Sequence, residues 1–296
     1  MKIFQDELRK RNFVVTAECF LKPETDAESI CLQADALRDS VDGVVLTDHQ
    51  YGQTHLNTIA AARLVLDSGL DPIVQMSCRN RNRLALIADL LGAAALGVSS
   101  VLLIRGSRVP SALSPRPKAV MDMTVADLIA TASMLKTDER LGAAADLFIG
   151  STMTAHSPKP GWVPEKLTRK IDAGAQFIVT HGNMDVDALR AHVSHLIGAG
   201  LTRRASIIAS TFILTSADDA RWLRDNRANN EIPDSIVQRL EKANDPREEG
   251  LAICAEHLSQ LARTPGVSGA NIIASTDLSM VPDVVSAADL DGADSE

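Results

Sequence analysis

Aromatic side chains are scarce in this chain, with two Trp, one Tyr and six Phe among 296 residues. The core must therefore be built from Val, Ile, Leu and Ala, the mixture that parallel sheets buried on both faces favour. Cysteine is sparse and scattered: Cys19, Cys31, Cys78 and Cys254 lie far apart with no CxxC pair. That spacing gives neither a zinc pattern nor a disulfide framework. A basic excess is also missing, since 30 Lys and Arg face 38 Asp and Glu for a formal charge of −8. The broad positive footprint of a nucleic-acid binder is thereby excluded, and any anionic ligand must be gripped by local cations. No apolar run reaches membrane-spanning length, and the opening MKIFQDELRKRN has no apolar signal core. A reducing cytoplasm is the expected location. Finally, no GxGxxG follows the first strand-like run, which counts against an open dinucleotide-binding sheet.

What is present is an alternation of short β-rich runs and longer helical stretches. Strands are expected at Phe13–Phe20, Gly43–Asp48, Pro72–Met76, Ser100–Arg105, Leu147–Gly150, Gln176–Thr180, Ala205–Ser210 and Ala270–Ala274. Helical periodicity fills the intervals, near Ala27–Asp39, Asn57–Ser68, Arg81–Leu96, Val125–Leu135, Pro164–Ala173, Val186–Ile197, Ala217–Asp225 and Arg247–Arg263. Eight strand–helix units over this length predict an α/β chain closed into a single (β/α)8 TIM barrel. The barrel is expected over 1–285, with 286–296 a small acidic tail expected to be disordered. A long loop, Gly106–Met121, stands out, because loops of that length in compact domains are usually functional or disordered.

Active sites of such barrels lie at the carboxyl ends of the strands. That rule selects Glu18, Thr47, Asp48, His49, Gln75, Met76, Ser77, Arg105, Gly106, Ser107, His156, Thr180, His181 and Thr211. Glu18 is the most pointed, since it interrupts the apolar run VVTAECF. A carboxyl group held among apolar neighbours can deliver a proton near neutrality. Alternatively, Glu18 is a structural carboxylate tied to a barrel arginine such as Arg105. His181, closing the strand in VTHG, is either a hydrogen-bonded rim residue or a substrate contact. No second His or carboxylate stands at ligand spacing, so no metal is expected. Arg79, Arg81 and Arg83 open a helix, where cations oppose the macrodipole. An anionic ligand at the mouth would explain them, as would ion pairs to neighbouring acids. Lys170 reads as a surface cation.

Three segments resemble the methylenetetrahydrofolate reductases. Thr16–Pro23 (TAECFLKP) is similar to their glutamate-bearing first strand. Val74–Gly106 is similar to the third strand, third helix and fourth strand of the short bacterial members, and Leu167–Val193 to their Lys-x-x-AGA-x-FIxTQ region. The likeness is collinear from Phe13 to Thr276. It implies a (β/α)8 barrel that binds FAD and reduces 5,10-methylenetetrahydrofolate to 5-methyltetrahydrofolate with NADH or NADPH. By resemblance, Glu18 is the general acid that assists opening of the folate's imidazolidine ring. Thr47, Arg105, Gly106, His156 and Lys170 match positions that touch the flavin, its pyrophosphate or ribose. Asp48, Gln75 and Ser77 join them on the cofactor side, and His181 and Thr211 join Glu18 on the substrate side.

The departures from the family fall on the folate half of the site. Ser107 stands where the family has an Asp near flavin and pterin. His181 replaces a Gln, and Thr152–Pro158 (TMTAHSP) keeps only the histidine of a Tyr-Pro-Glu-x-His-Pro stretch. A Pro-Gly-Ile turn has become STFIL, and a stacking Phe in the following helix has no clear counterpart. Three readings follow: a flavin-dependent folate reductase working in either direction, a reductase that passes hydride directly from the nicotinamide, and a non-catalytic folate- or flavin-binding barrel. Family members are often oligomeric, but no interface is legible here.

Overall fold

A computed structural model describes residues 2–290 apart from 20, 107–108, 110–112, 140–145, 228 and 275–277. Eight strands form a closed, wholly parallel barrel in chain order: β1 Val14–Cys19, β2 Gly43–Leu46, β3 Pro72–Ser77, β4 Ser100–Ile104, β5 Phe148–Met153, β6 Phe177–Thr180, β7 Ser206–Ile213 and β8 Gly269–Ala274. The ring closes where β8 pairs with β1, Val14 opposite Gly269 and Glu18 opposite Ile273. The expected barrel is the observed one. Three strands run on past their expected ends, β3 to Ser77, β5 to Met153 and β7 to Ile213.

The helices are α1 Phe4–Lys10, α2 Ala27–Leu37, α3 Thr58–Asp67, α4 Arg83–Ala95, α5 Val125–Leu135, α6 Glu165–Asp172, α7 Val186–Gly198, α8 Ala217–Asn226, α9 Asp234–Lys242, α10 Pro246–Ala262 and α11 Val281–Ala287. Their starts are chemically marked: Asp26, Asn57, Asn82, Thr124, Asp185, Ser216 and Asp245 each accept a backbone N–H of the first turn. Because Asn82 is the cap of α4, that helix begins at Arg83 rather than Arg81, and Arg79 and Arg81 stand ahead of it. The short α9 was not expected from the sequence.

Side chains alternate across each strand, so every second residue points into the barrel. The inward set Val14, Val45, Ile73, Leu102, Phe148, Phe177, Val179 and Ile208 packs with Phe4 of α1 into one apolar cluster. The rare aromatics are concentrated there: Phe148 and Phe177 stack at 4.9 Å, and Phe4 meets them at 6.0 and 5.3 Å. Helix α1 is anchored from below, the Phe4 amide donating to Asp71 at 2.8 Å. This floor closes the amino end of the barrel. The outward residues form a separate, larger core with the surrounding helices, leaving the carboxyl end free for chemistry.

Candidate active site

A cavity of about 1340 Å³ occupies the carboxyl end, lined by residues from all eight strands and the segments that follow them. Sites for one small ligand usually measure about 300–1,000 Å³. This one has room for two partners side by side. Its base carries a line of hydrogen bonds between inward polar residues. Thr16 donates to Asn271 at 3.0 Å, Asn271 to Ser210 at 3.4 Å, and Ser210 to the Thr180 carbonyl at 2.6 Å. Four strands are thus tied together just above the apolar floor, and each polar group that burial would penalise has a partner.

Glu18 stands one layer above that line, 5% exposed and facing the cavity. Its partner is Arg227, just beyond α8, whose Nη2 donates to both carboxylate oxygens at 2.9 and 2.8 Å. Arg105 does not fill that role: it is exposed at the mouth, where it lines the cavity. The Arg227 guanidinium also lies 5.9 Å from the ring centre of Phe212 on β7, a cation–π distance. His181 lines the same side. Burial, then the nearby cations Arg227 and Lys170, push it down to about 4. Its imidazole is therefore neutral at physiological pH.

Lys170 is not the surface cation that its position suggested. Helix α6 carries it into the cavity wall, where its ammonium donates to the Thr152 carbonyl. Burial, with Lys166 adding repulsion, lowers it to about 8. Close by, the rings of His156, His192 and His195 gather around Trp162 at 5.0–5.2 Å. His156, Trp162 and His192 all line the cavity.

On the opposite wall, Asp48 organises the ends of β2 and β3. Its amide donates to Gln75, and its Oδ2 accepts from the Ser77 amide and from Arg81, both at 2.8 Å. Burial alone would raise this carboxyl, but Arg81, with Ser77 and His49 helping, outweighs it and holds the group below the usual range. Arg81 also bridges to Asp89 at 2.8 Å. Ion pairing, rather than a ligand, thus accounts for Arg81. Arg79 is buried and donates to the carbonyls of Asp48 and His49. Gly106 has φ of +83°, and a Cβ there would lie 2.7 Å from that of Arg79. Glycine is needed because the chain passes so close.

Of the residues singled out from sequence, Glu18, Asp48, Gln75, Arg105, Gly106, His156, Lys170 and His181 meet around the cavity. Three others take different places. Thr47 is buried behind the wall, with its hydroxyl near the Leu21 amide and the Cys19 carbonyl. Ser77 is buried and contributes its amide to Asp48. Thr211, expected to touch substrate, points outward because Ser210 and Phe212 take the inward positions. Its hydroxyl meets His257 at 2.7 Å and Cys254 at 3.9 Å beneath α10. Ser107 lies outside the described residues. The sequence reading missed Arg227, Asn271, Ser210, Trp162 and Trp222, all in the cavity lining. Asn271 carried a usable signal, a polar residue interrupting GANIIA just as Glu18 interrupts its own strand. Arg227 carried none, because it lies in a polar loop.

Among the described residues no group of three or more His, Cys, Asp or Glu is placed to hold a metal ion, and no helix is long and apolar enough to cross a membrane. A family profile described as methylenetetrahydrofolate reductase matches residues 3–279. Among curated protein sequences none matches the chain. Several solved structures share the fold. A protein from Clostridium thermocellum, described as uncharacterized and binding two copies of 5-methyl-5,6,7,8-tetrahydrofolic acid, superposes with a TM-score of 0.69 at 12% identity over 96% of this chain and 99% of that one. DmoA from Hyphomicrobium sulfonivorans gives 0.57 at 12% identity, over 93% and 86% of the two chains. Tryptophan synthase from M. tuberculosis gives 0.52 at 11%, over 96% and 94%. At such identities the likeness establishes the barrel alone.

Proposed function

The chain belongs to the methylenetetrahydrofolate reductase family, and from that premise we propose that it interconverts 5,10-methylenetetrahydrofolate and 5-methyltetrahydrofolate with NAD(P)H through bound FAD. The observation that carries the reading is Glu18, a carboxylate at the base of a large cavity whose other side is cationic. The size of the cavity suits a folate and a second planar ligand together. The Clostridium thermocellum barrel, described as holding two folate molecules, supports a mouth of this kind taking more than one ligand.

The residues present fit a flavin nucleotide. Arg105, Lys166 and Lys170 all line the cavity, a donor set suited to a diphosphate, for which charge-assisted hydrogen bonds are the strong ones. His156 and Trp162 offer ring faces beside them. When bound, the flavin would supply hydride transfer between the nicotinamide and the folate carbon.

The chain's own residues account for the proton and for orientation. In its protonated form Glu18 hands its proton to the folate nitrogen that leaves as the five-membered ring opens, and as the resulting carboxylate it takes one back in the reverse direction. His181, neutral at the operating pH, can donate or accept one hydrogen bond to the substrate without adding charge beside Glu18. The Thr16–Asn271–Ser210 line of hydrogen bonds beneath ties the base of the site together.

A second reading, direct hydride transfer from the nicotinamide without flavin, is favoured by the positions of Thr47 and Ser77. Two expected flavin contacts lie behind the wall rather than on it. The absorbance spectrum of protein purified without added flavin separates the two: a yellow protein supports FAD, and a colourless one that still reduces the folate with NAD(P)H supports direct transfer. Absence of folate turnover with either nicotinamide, in both directions, defeats the catalytic reading altogether.

A further inference from the structure

We propose that Arg227 is the positioning residue for Glu18, a guanidinium brought in from the segment after α8 to fix the plane of the carboxylate toward the substrate. The inference rests on the folate reading above for its catalytic consequence, but the contact itself does not. A single nitrogen of Arg227 donates to both oxygens of Glu18, at 2.9 and 2.8 Å. Each oxygen keeps a second lone-pair direction for a ligand, since a carboxylate offers about four acceptor sites. The side chains are only 15% and 7% exposed, so little water is available to substitute for either partner.

The arginine is itself held from two sides. Below, its guanidinium rests on the Phe212 ring at 5.9 Å. Behind, its segment is fastened to the end of β6: the Gly182 amide donates to Asn230 at 3.0 Å, Glu231 donates to the Gly182 carbonyl at 2.9 Å, and Met184 donates to the Glu231 carbonyl at 2.9 Å. A segment between two helices has thus been pinned across the barrel mouth, and the residue delivered over β1 is a planar cation. Among the described residues, His181 across the cavity and Cys19 on its own strand also feel the Glu18 charge, and Lys170 lines the same cavity. The hydrogen bonds that fix the carboxylate's orientation come, among the described residues, from Arg227. Without Arg227, the carboxylate would be a buried charge lacking its counter-ion, free to turn toward those groups.

The test compares Arg227→Met and Arg227→Lys with the unaltered chain, after thermal melts establish that each variant is folded. Misplacement of a catalytic group by about 1 Å can cost on the order of a hundredfold. Arg227→Met should therefore lower kcat for folate turnover roughly 10- to 100-fold, with KM for the folate and NAD(P)H–menadione activity little changed. Arg227→Lys should recover only part, because an ammonium does not reproduce the planar donor. Independently of turnover, the infrared difference between each protein and its Glu18→Gln counterpart isolates the Glu18 carboxylate bands, and Arg227→Met should displace them. Unmoved bands would overturn the proposal, as would a kcat unchanged in Arg227→Met. Displaced bands in a chain that turns over no folate at all would instead overturn the function while leaving the pairing intact.

Discussion

Lys170, on α6, donates its ammonium to the main-chain carbonyl of Thr152 at the end of β5. A backbone carbonyl cannot neutralise a charge, and burial, with Lys166 behind it, has lowered Lys170 to about 8. The unfolded chain, with Lys near 10.5, therefore binds more protons between about pH 8 and 10.5, and stability rises with pH across that window. At neutrality the buried ammonium is a cost that an anionic ligand would relieve. FAD affinity, followed by flavin fluorescence, should fall between pH 7 and pH 9. Lys170→Met should bind about 10- to 100-fold more weakly at pH 7, lose that pH dependence and melt higher than the parent. Equal affinity at both pH values in the unaltered chain would remove Lys170 from the cofactor's grip.

Glu18→Gln separates proton transfer from hydride supply. The amide is isosteric and can still meet Arg227 through its oxygen, so the barrel should remain folded. General acid–base groups contribute about 10²–10⁴-fold, and folate turnover should drop by that factor. NAD(P)H oxidation by menadione needs no proton from Glu18 and should survive. Parallel loss of both activities would mark Glu18 as structural.

The legibility of this chain divides along physical lines. The strands were readable because Val-, Ile- and Leu-rich runs bounded by polar segments have few alternatives in an alternating α/β pattern. Glu18 was readable because a charge inside such a run must have a reason. Thr211 misled, because a strand end offers both faces to polar residues, and only the register shows that Ser210 and Phe212 take the inward one. Lys170 was hidden by its helix: nothing in LTRKIDAGA tells which side of α6 meets the cavity. The partner of Glu18 was hidden more deeply. It stands 209 residues away, in a segment whose position depends on contacts with Gly182 and Met184.

Gly182 and Gly92 make a contrasting pair. A Cβ on Gly182 would lie 2.0 Å from the ring of Phe212, the ring beneath Arg227. Gly182→Ala should cost at least about 1–3 kcal/mol by overpacking and, by tilting Phe212, impair folate turnover as well. In the middle of α4, a Cβ on Gly92 would meet nothing within 4 Å. Gly92→Ala should stabilise by about 0.5–1 kcal/mol through the lost backbone entropy of glycine, with activity unchanged. Urea unfolding of the two variants measures both signs, and a stable, fully active Gly182→Ala would show that the ring beneath Arg227 is free to move.

His257, which fastens α10 to the barrel through Thr211, should make the fold acid-sensitive. Its Nδ1 lies 2.7 Å from the Thr211 hydroxyl, and burial pushes it down to about 4. Because the unfolded chain takes up this proton near 6.5, the histidine's contribution is complete above that value and is lost as pH falls toward about 4. A shift of that size corresponds to roughly 3 kcal/mol. His181, also lowered to about 4, acts in the same direction. Asp71, raised to about 6 by burial, acts oppositely, since the folded chain holds its proton more tightly between about pH 3.8 and 6. His55 and His192, both lowered chiefly by burial, add to the side of His257, so the net curve mixes several groups and only a difference isolates one. The double variant His257→Phe with Thr211→Val replaces both polar partners by apolar ones of similar shape, a change that can be nearly neutral. Its urea midpoint near pH 7 should stay close to the parent's, and its decline between pH 6.5 and 4 should be shallower by the His257 share, the shares of the other shifted groups remaining. Parallel curves for the two proteins would mean that His257 does not take up its proton on unfolding.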